Sequence, residues 1–441
     1  MASLSVDGLI SGLDTTSLIS QLVAAEGTVQ TQLKTRLTET KDAAAAYRSI
    51  NTKIDALRSA AETLGKDATW TAAKATSSST AVAVAVTGTP QTGSVTFTVK
   101  SVAAAHAVVA ATAQPSTTAA GVYSDLTVSD ANGVAKGTIA VGTGSLTETA
   151  AAINNSSYGL NATVLQVSPG QYKLQVSAKS TGSAGEFSLG TGFNELRQGT
   201  DATISLGDTG SAIDITSSSN TFTGVIPGGT LTVSAASNAP VTVDVSPDPD
   251  AVAAKVQAFV DAANSALTEI AKESANGAES TASLRGDSNL RRLTDQVLTA
   301  VSGVVAGLGS PGTFGVQLTR DGKVSFTKDT FLTRLQADPA KVREVFAGVT
   351  TDGGPEGVAT RMQMLAKQVT DSTTGTLSLL AKGRDDLATD LQGRIADWDL
   401  RLAARKAALT KQFTAMETAL NSLKNQSSWL SGQLASLPSS S

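Results

Sequence analysis

Residues 391–437 of the chain read LQGRIADWDLRLAARKAALTKQFTAMETALNSLKNQSSWLSGQLASL, and the periodicity of this stretch organises the rest of the sequence. Apolar side chains recur at every seventh position, in a row made up of Ile395, Leu402, Leu409, Met416, Leu423, Leu430 and Leu437. A second row beside it contains Leu391, Trp398, Phe413, Leu420 and Leu434. Because such a repeat keeps one edge of a helix continuously apolar, we predict a coiled-coil helix that requires a partner.

The predicted partner lies near the start of the chain. The motif Gly12-Leu13-Asp14 precedes a helical pattern, and Asp14 or Thr15 is suited to cap the first free N–H groups of a helix. Apolar positions then follow at helical spacing, namely Leu18, Leu22, Val29 and Leu33. Farther along, the same kind of spacing connects Tyr47, Ile50, Ile54, Leu57, Ala61 and Leu64. These positions predict helices that pair with the C-terminal rows.

Between residues 76 and 245 the pattern changes to alternation of apolar side chains with serine and threonine. Turn sequences such as Asn132-Gly133 and Pro169-Gly170 separate the alternating runs, which are typical of β-strands with one polar face. One segment, residues 146–155, has helical spacing instead. We predict two β modules, the second of them inserted into a loop of the first.

Helical spacing returns after Pro247-Asp248-Pro249-Asp250, where the prolines end a strand and the acids can cap a helix. We predict a hairpin with its turn at residues 319–323 and a long C-terminal helical region that bends near Gly375. Four further helices are predicted in this part of the chain, at residues 252–270, 289–305, 328–336 and 339–346. The region is therefore mainly helical.

The sequence thus predicts a multidomain α+β protein with a nested organisation. Terminal helices would pair as a coiled-coil stalk, a mainly helical domain would follow, and two nested β-rich head domains would lie farthest from the ends. The predicted domains are residues 1–40 with 381–441, 41–75 with 247–380, 76–113 with 199–246, and 114–198. Because the two ends must pair, we expect a long molecule, a stalk with a head.

Composition excludes several classes of function. The 441 residues carry a net charge of −4, and lysine and arginine are scattered among acids, which predicts no binding to nucleic acid or to anionic membranes. The chain has no cysteine, so it has neither disulfides nor thiolate sites. The N-terminal segment carries Asp7 and Asp14 where a secretory signal would be apolar, and we therefore expect export, if any, without a cleaved signal peptide.

The sequence contains no motif that predicts catalysis. His106 is the single histidine, and no nucleophile motif accompanies it, so we interpret it as a structural residue and not as a general base. Asp248 and Asp250 can be read as calcium ligands, but two acids between prolines more often cap a helix. We predict a non-enzymatic protein with no catalytic residue, no cofactor and no metal site.

Several separate blocks of sequence resemble one family. Gly12-Leu13-Asp14-Thr15 near the N-terminus, Arg320-Asp321-Gly322-Lys323, Asp338-Pro339 and Ser427-Ser428-Trp429-Leu430 are similar to motifs of the flagellar filament capping proteins, also called hook-associated protein 2. Residues 137–188 are similar to the repeat found in flagellins and hook-associated proteins. The resemblance covers nearly the whole chain, with the blocks in the order of the family.

The resemblance implies an extracellular protein at the tip of the bacterial flagellum that caps the filament and promotes flagellin polymerisation. The implied partners are further copies of the chain in a ring-like homo-oligomer, expected to be a pentamer, then flagellin, other hook-associated proteins, and an export chaperone on the C-terminal helix. Two alternatives are an extracellular adhesin that uses the β-rich head and a filament or junction subunit. The apolar rows also fit an internal antiparallel bundle without an intermolecular role.

Overall fold

A computed structural model describes residues 12–87, 91–207, 211–277, 280–349 and 354–435. The chain divides into two compact units, one made of residues 1–65 with 255–441 and the other of residues 66–254. Helices dominate the first unit and antiparallel sheets the second. The multidomain α+β class predicted from the sequence is confirmed. The finer division into four domains remains our proposal.

Two helices open the described chain, α1 (Thr15–Glu26) and α2 (Thr28–Gly65). Asp14 caps α1, since its carboxylate accepts the N–H of Ser17 at 2.8 Å. Gly27 separates the two helices and donates its N–H back to Val23 and Ala24. All six apolar positions predicted between residues 47 and 64 of α2 are buried.

The β-rich unit begins with the short helix α3 (Asp67–Trp70) and contains two hydrophobic cores. The first core lies between a sheet with strand order β1-β15-β3-β11-β12 and a sheet with order β13-β14-β2. The strands of these sheets are β1 (Ala73–Ser77), β2 (Val82–Val86), β3 (Gly93–Ser101), β11 (Ala202–Leu206), β12 (Ile213–Ser217), β13 (Thr221–Thr223), β14 (Gly229–Val233) and β15 (Ser237–Pro247).

The second core is formed by residues that lie between β3 and β11 in the sequence, and it includes helix α4 (Leu146–Asn155). Its sheets have the orders β10-β4-β8-β7 and β6-β5-β9. The strands are β4 (Ala107–Ala110), β5 (Leu126–Asp130), β6 (Ala135–Ile139), β7 (Leu160–Ser168), β8 (Gln171–Ala178), β9 (Phe187–Ser188) and β10 (Phe193–Arg197). The observed bounds of α4 are those predicted from the sequence, because Ser145 caps its first turn through the N–H of Glu148.

The remaining elements complete the helical unit, in which the aromatic rings of Phe326, Phe331 and Phe346 meet edge to face. The helices are α5 (Pro249–Ser274), α6 (Ser288–Ser302), α7 (Lys328–Ala337), α8 (Pro339–Ala347), α9 (Val358–Thr370) and α10 (Thr376–Ala435). The strands β16 (Val316–Leu318) and β17 (Val324–Phe326) pair as the predicted hairpin.

The bend expected near Gly375 is a complete break between α9 and α10. The carboxylate of Asp371 accepts the N–H groups of Thr373 and Thr374, which turns the chain out of α9. Gly375 then passes so close to the backbone of Asp371 that a side-chain Cβ would lie 2.4 Å from its carbonyl oxygen. The turn therefore depends on glycine at this position.

Three asparagines hold backbone segments by the same double hydrogen bond. Asn154 of α4 donates to the carbonyl of Ala162 at 2.9 Å and accepts the N–H of the same residue at 2.7 Å. Asn220 makes the equivalent pair of bonds with Ala103, and Asn264 makes it with Val324. Each amide satisfies a backbone donor and acceptor that would otherwise lack partners.

Candidate functional site

The terminal helices meet along α10, which packs against α1 and α2 in antiparallel fashion. The direction follows from the contacts, because Gln30 lies beside Asp399 while Glu26, nearer the N-terminus, lies beside Arg405. Three buried side chains form the apolar centre of the pair, and partly buried ones surround it. The set is Leu33, Leu391 and Ile395, surrounded by Leu37, Leu387 and Trp398.

Gln30 is a polar side chain in this apolar seam, and it is buried. Its Nε2 donates to the carboxylate of Asp399 and, at 3.5 Å, to the carbonyl of Ile395, while its Oε1 accepts from Lys34. A shift of one helix along the other would leave the buried amide without partners. Gln30 therefore specifies the register of the pair, as a buried polar residue does in other coiled coils.

Exposed ion pairs flank the seam. Arg405 donates to Glu26 at 2.8 Å, and Arg48 donates to Asp385 closer to the start of α10. Arg401 stacks its guanidinium 4.7 Å from the ring centre of Trp398. Because exposed pairs of this kind contribute at most about 1 kcal/mol, they orient the helices more than they stabilise them.

A buried tyrosine links α2 to α6 near the start of α10. The hydroxyl of Tyr47 donates to one carboxylate oxygen of Asp287, and the other oxygen accepts the N–H of Asn289 at 2.7 Å and so caps α6. Burial, followed by the hydrogen bond and negative charge of Asp287, raises the pKa of Tyr47 to about 12, while Arg384 acts in the opposite direction. The phenol therefore stays neutral over the ordinary pH range.

The predicted assembly residues separate into three groups. Leu33, Ile395 and Leu409 are buried, and Trp398, Leu402, Phe413 and Leu420 are half-buried. The exposed group consists of Gly12, Leu13, Asp14, Leu18, Leu22, Val29, Met416, Leu423 and Leu430. Leu437 and the side chain of Leu434 lie outside the described residues.

Sequence reasoning missed two buried residues of the terminal helices, one in α1 and one in α2. Ile19 is the buried apolar side chain of α1, although Leu18 and Leu22 fit the helical spacing equally well. Gln30 was missed because a polar side chain normally indicates the solvent-exposed face of a helix. Because α1 and α2 are separate helices with Gly27 between them, the buried face of α2 does not continue that of α1. The spacing of apolar residues alone does not show this change.

The distal part of α10 has no buried residue among those described after Glu417. Leu423, Trp429 and Leu430 are 60%, 66% and 55% exposed, and on α1 Leu18 and Leu22 are also exposed. Leu423 and Leu430 continue the heptad row beyond the paired region, and Trp429 directly precedes Leu430. Exposed apolar side chains of this kind form a surface that other helices bind. We call Leu423, Trp429 and Leu430 the distal patch.

The polar residues His106 and Asp248, which the sequence singled out, both have structural partners. His106 is buried, where its Nδ1 accepts the N–H of Phe187 at 3.3 Å and its ring meets the Phe187 ring edge to face. Asp248 accepts the N–H of Ala251 at 3.1 Å and caps α5. In the part of the chain that the structure describes, no group of three or more potential metal ligands occurs, and no helix is long and apolar enough to cross a membrane.

The fold places the chain in the class of multidomain α+β proteins whose N-terminal and C-terminal helices pair with each other. Two family models match the sequence, namely "Flagellar hook-associated protein 2 N-terminus" at residues 11–106 and "Flagellar hook-associated protein 2 C-terminus" at residues 199–425. The second model alone spans more than half of the chain. The chain belongs to the flagellar hook-associated protein 2 family, as the sequence motifs predicted.

Curated relatives and a solved structure agree with this assignment. The chain is 26% identical over 469 residues to the flagellar hook-associated protein 2 of Escherichia coli K12, covering 98% of each chain. It is 28% identical over 295 residues to the lateral flagellar hook-associated protein 2 of Vibrio parahaemolyticus, covering 62% of this chain and 64% of that one. The crystal structure of the D1-D2-D3 domains of the Escherichia coli flagellar cap protein FliD has the same fold, with a TM-score of 0.61 at 22% identity over 77% of this chain and 99% of that one.

Proposed function

We propose that this protein caps the distal end of the bacterial flagellar filament and promotes the polymerisation of flagellin. Its family is one of structural flagellar cap proteins, and the proposal assigns the family role to this chain. The protein acts by binding and positioning other subunits, without chemical catalysis. It works outside the cell, at the flagellar tip.

The observation that carries the proposal is the contrast between the part of α10 that packs against α2 and the distal patch. The packed part is held by buried side chains such as Leu391. Leu423, Trp429 and Leu430, in contrast, stay exposed after the chain has folded. A helix anchored at one end and apolar at the other is suited to bind neighbouring subunits while the rest of the molecule stays folded.

The proposed partners follow from this surface. The protein would form a ring-like homo-oligomer, for which we propose a pentamer, and the terminal helices would contact flagellin and other hook-associated proteins. Before export, a chaperone would cover the distal patch, because exposed apolar side chains invite nonspecific association. The coiled-coil residues proposed to make these contacts are Leu18, Leu22, Val29, Leu33 and the row from Ile395 to Leu430.

Deleting the gene from a flagellated cell and restoring it with variants tests the proposal. A cell without the protein should release flagellin monomer into the medium, and the unaltered chain should restore filaments. A Leu423→Ser and Leu430→Ser double variant should fold but fail to restore filament growth. Asn425→Ala, an exposed polar change in the same segment, is the matched control and should restore growth fully.

The outcome against the proposal is equally clear. Filaments of normal length in the deletion strain would exclude a capping role and would favour an adhesin that uses the β-rich unit. Normal filament growth with the double serine variant would show that the distal patch takes no part in assembly.

A further inference from the structure

Strand β7 forms one edge of the four-stranded sheet β10-β4-β8-β7. In an antiparallel ladder, alternate residues of a strand bond to the neighbour and the residues between them direct their N–H and C=O groups the other way. Asn154 identifies the outward set of β7, because its side chain bonds both backbone groups of Ala162. Val164 and Gln166 belong to the same alternating set and also direct their backbone groups outward.

Among the residues that the structure describes, no group pairs with the outward backbone of Val164 or Gln166. Neither a charged residue nor a proline protects this edge, since residues 160–168 include none, and the ladder to β8 is regular as far as Gln166, where a bulge begins. On its solvent face, Leu165 and Val167 are 37% and 52% exposed. An uncharged edge with free donors and acceptors is a template for a further strand.

We propose that β7 pairs in antiparallel fashion with β7 of a second copy of this chain, about a two-fold axis at Leu165. In this register Val164 of each copy faces Gln166 of the other, so every outward N–H of these residues meets a C=O. The two Leu165 side chains then lie directly opposite each other on the solvent face.

The structure favours this occupant over other strands of the molecule. The opposite edge of the same sheet, β10, carries Glu195 and Arg197, whose charges would lie beside apolar side chains of β7. The register is fixed as well, because Asn154 already occupies the backbone of Ala162 and prevents pairing of the strand's first half. Lys173, opposite Leu165 on β8, is engaged by the carbonyl of Ala111 at 3.0 Å.

A two-fold contact closes on itself with two copies and adds no members to a ring. The pairing therefore joins chains two at a time, through the β-rich unit, and is a contact separate from those proposed for the terminal helices. It goes beyond the capping function and does not depend on it.

Single cysteines introduced into the full chain test the pairing, because the natural chain has no cysteine. Leu165→Cys places two thiols opposite each other, at a separation suited to a disulfide. Under mild oxidation with copper phenanthroline, we expect this variant to form a covalent dimer roughly tenfold faster or more than Val134→Cys, since the pairing holds the thiols together. Val134 is the control because it is 62% exposed and lies in the connection between β5 and β6 of the same unit.

A second change separates pairing from random collision. Adding Gln166→Pro to Leu165→Cys removes one outward N–H but no bond to β8, so the sheet keeps its ladder, as circular dichroism should show. The rate of dimer formation should then fall to that of Val134→Cys. Equal rates for Leu165→Cys and Val134→Cys in the otherwise natural chain would overturn the proposal, and so would an unchanged rate in a folded Gln166→Pro variant. Filament growth is a separate measurement that reports only on the capping function.

Discussion

The two parts of α10 differ in what surrounds them. In the first part, Leu391 and Ile395 are buried against α2, and Gln30 fixes the register of the two helices. Beyond Glu417 the same heptad row continues, but Leu423 and Leu430 are exposed. The comparison teaches that a repeat in sequence specifies where a helix is able to pair, whereas the contacts with the rest of the chain decide where it does pair.

Removal of a buried side chain from the seam should have the largest effect on the free energy of unfolding. Leu391→Ala should lower the free energy of unfolding by about 2 to 5 kcal/mol, because it leaves a cavity in the seam. Leu423→Ala, made at an exposed position of the same helix, should change it by no more than about 0.5 kcal/mol. Urea denaturation of the two purified variants measures the difference. Equal losses would remove the distinction between the two parts of α10.

The buried amide should have the next largest effect. Gln30→Ala should lower the free energy of unfolding by about 1 to 3 kcal/mol, because the hydrogen bonds of the buried amide, one of them to the charged carboxylate of Asp399, are lost. A double-mutant cycle with Asp399→Ala isolates the contribution of the contact. A coupling energy of zero would mean that apolar packing alone sets the register.

Tyr47 gives a prediction that depends on pH. Tyr47→Phe should lower the free energy of unfolding at neutral pH by about 1 to 2 kcal/mol through loss of the hydrogen bond to Asp287. In the natural chain the folded state holds the phenol proton more tightly than the unfolded state, since the pKa is raised from 10.0 to about 12. Its stabilisation is therefore full below pH 10 and is lost as the pH rises toward 12.

Denaturation midpoints recorded at rising pH measure this dependence. The difference between the natural chain and Tyr47→Phe should narrow as the tyrosine ionises. A constant difference between the two chains across that pH range would contradict the role assigned to the tyrosine.

The smallest expected effect belongs to the exposed ion pair. Arg405→Ala should change the free energy of unfolding by about 0.5 kcal/mol or less, and added salt should remove most of that change. Melting temperatures at low and high ionic strength provide the measurement. A loss comparable with that of Leu391→Ala, unaffected by salt, would mean that the pair is far more shielded than its exposure indicates.

Much of the fold was predictable because local rules specify it. The bounds of α4 follow from the capping serine at Ser145, and the hairpin of β16 and β17 follows from alternation around a glycine turn. The helix from Ile395 onward follows from the recurrence of apolar residues at every seventh position. In these regions neighbouring residues carry the necessary information, so tertiary context adds little.

The remainder depends on contacts between distant parts of the chain. Spacing cannot show that Ile19 and not Leu18 is buried, because the answer depends on how α1 meets α10. The paired hydrogen bonds of Asn154, Asn220 and Asn264 depend on which strand passes each amide, and sequence alone does not show it. Of the candidate site, the heptad positions were therefore predicted, whereas Gln30 was not.

The break before α10 also has a mechanical consequence. From Thr376 to Ala435 the helix runs for 60 residues without a proline, a length of about 90 Å. Because α10 packs against α2 near Ile395, a force applied at Leu430 is carried along continuous helix to that contact, roughly 50 Å away. The turn at Gly375, which tolerates no larger residue, lies beyond that contact and fixes the direction in which α10 leaves α9.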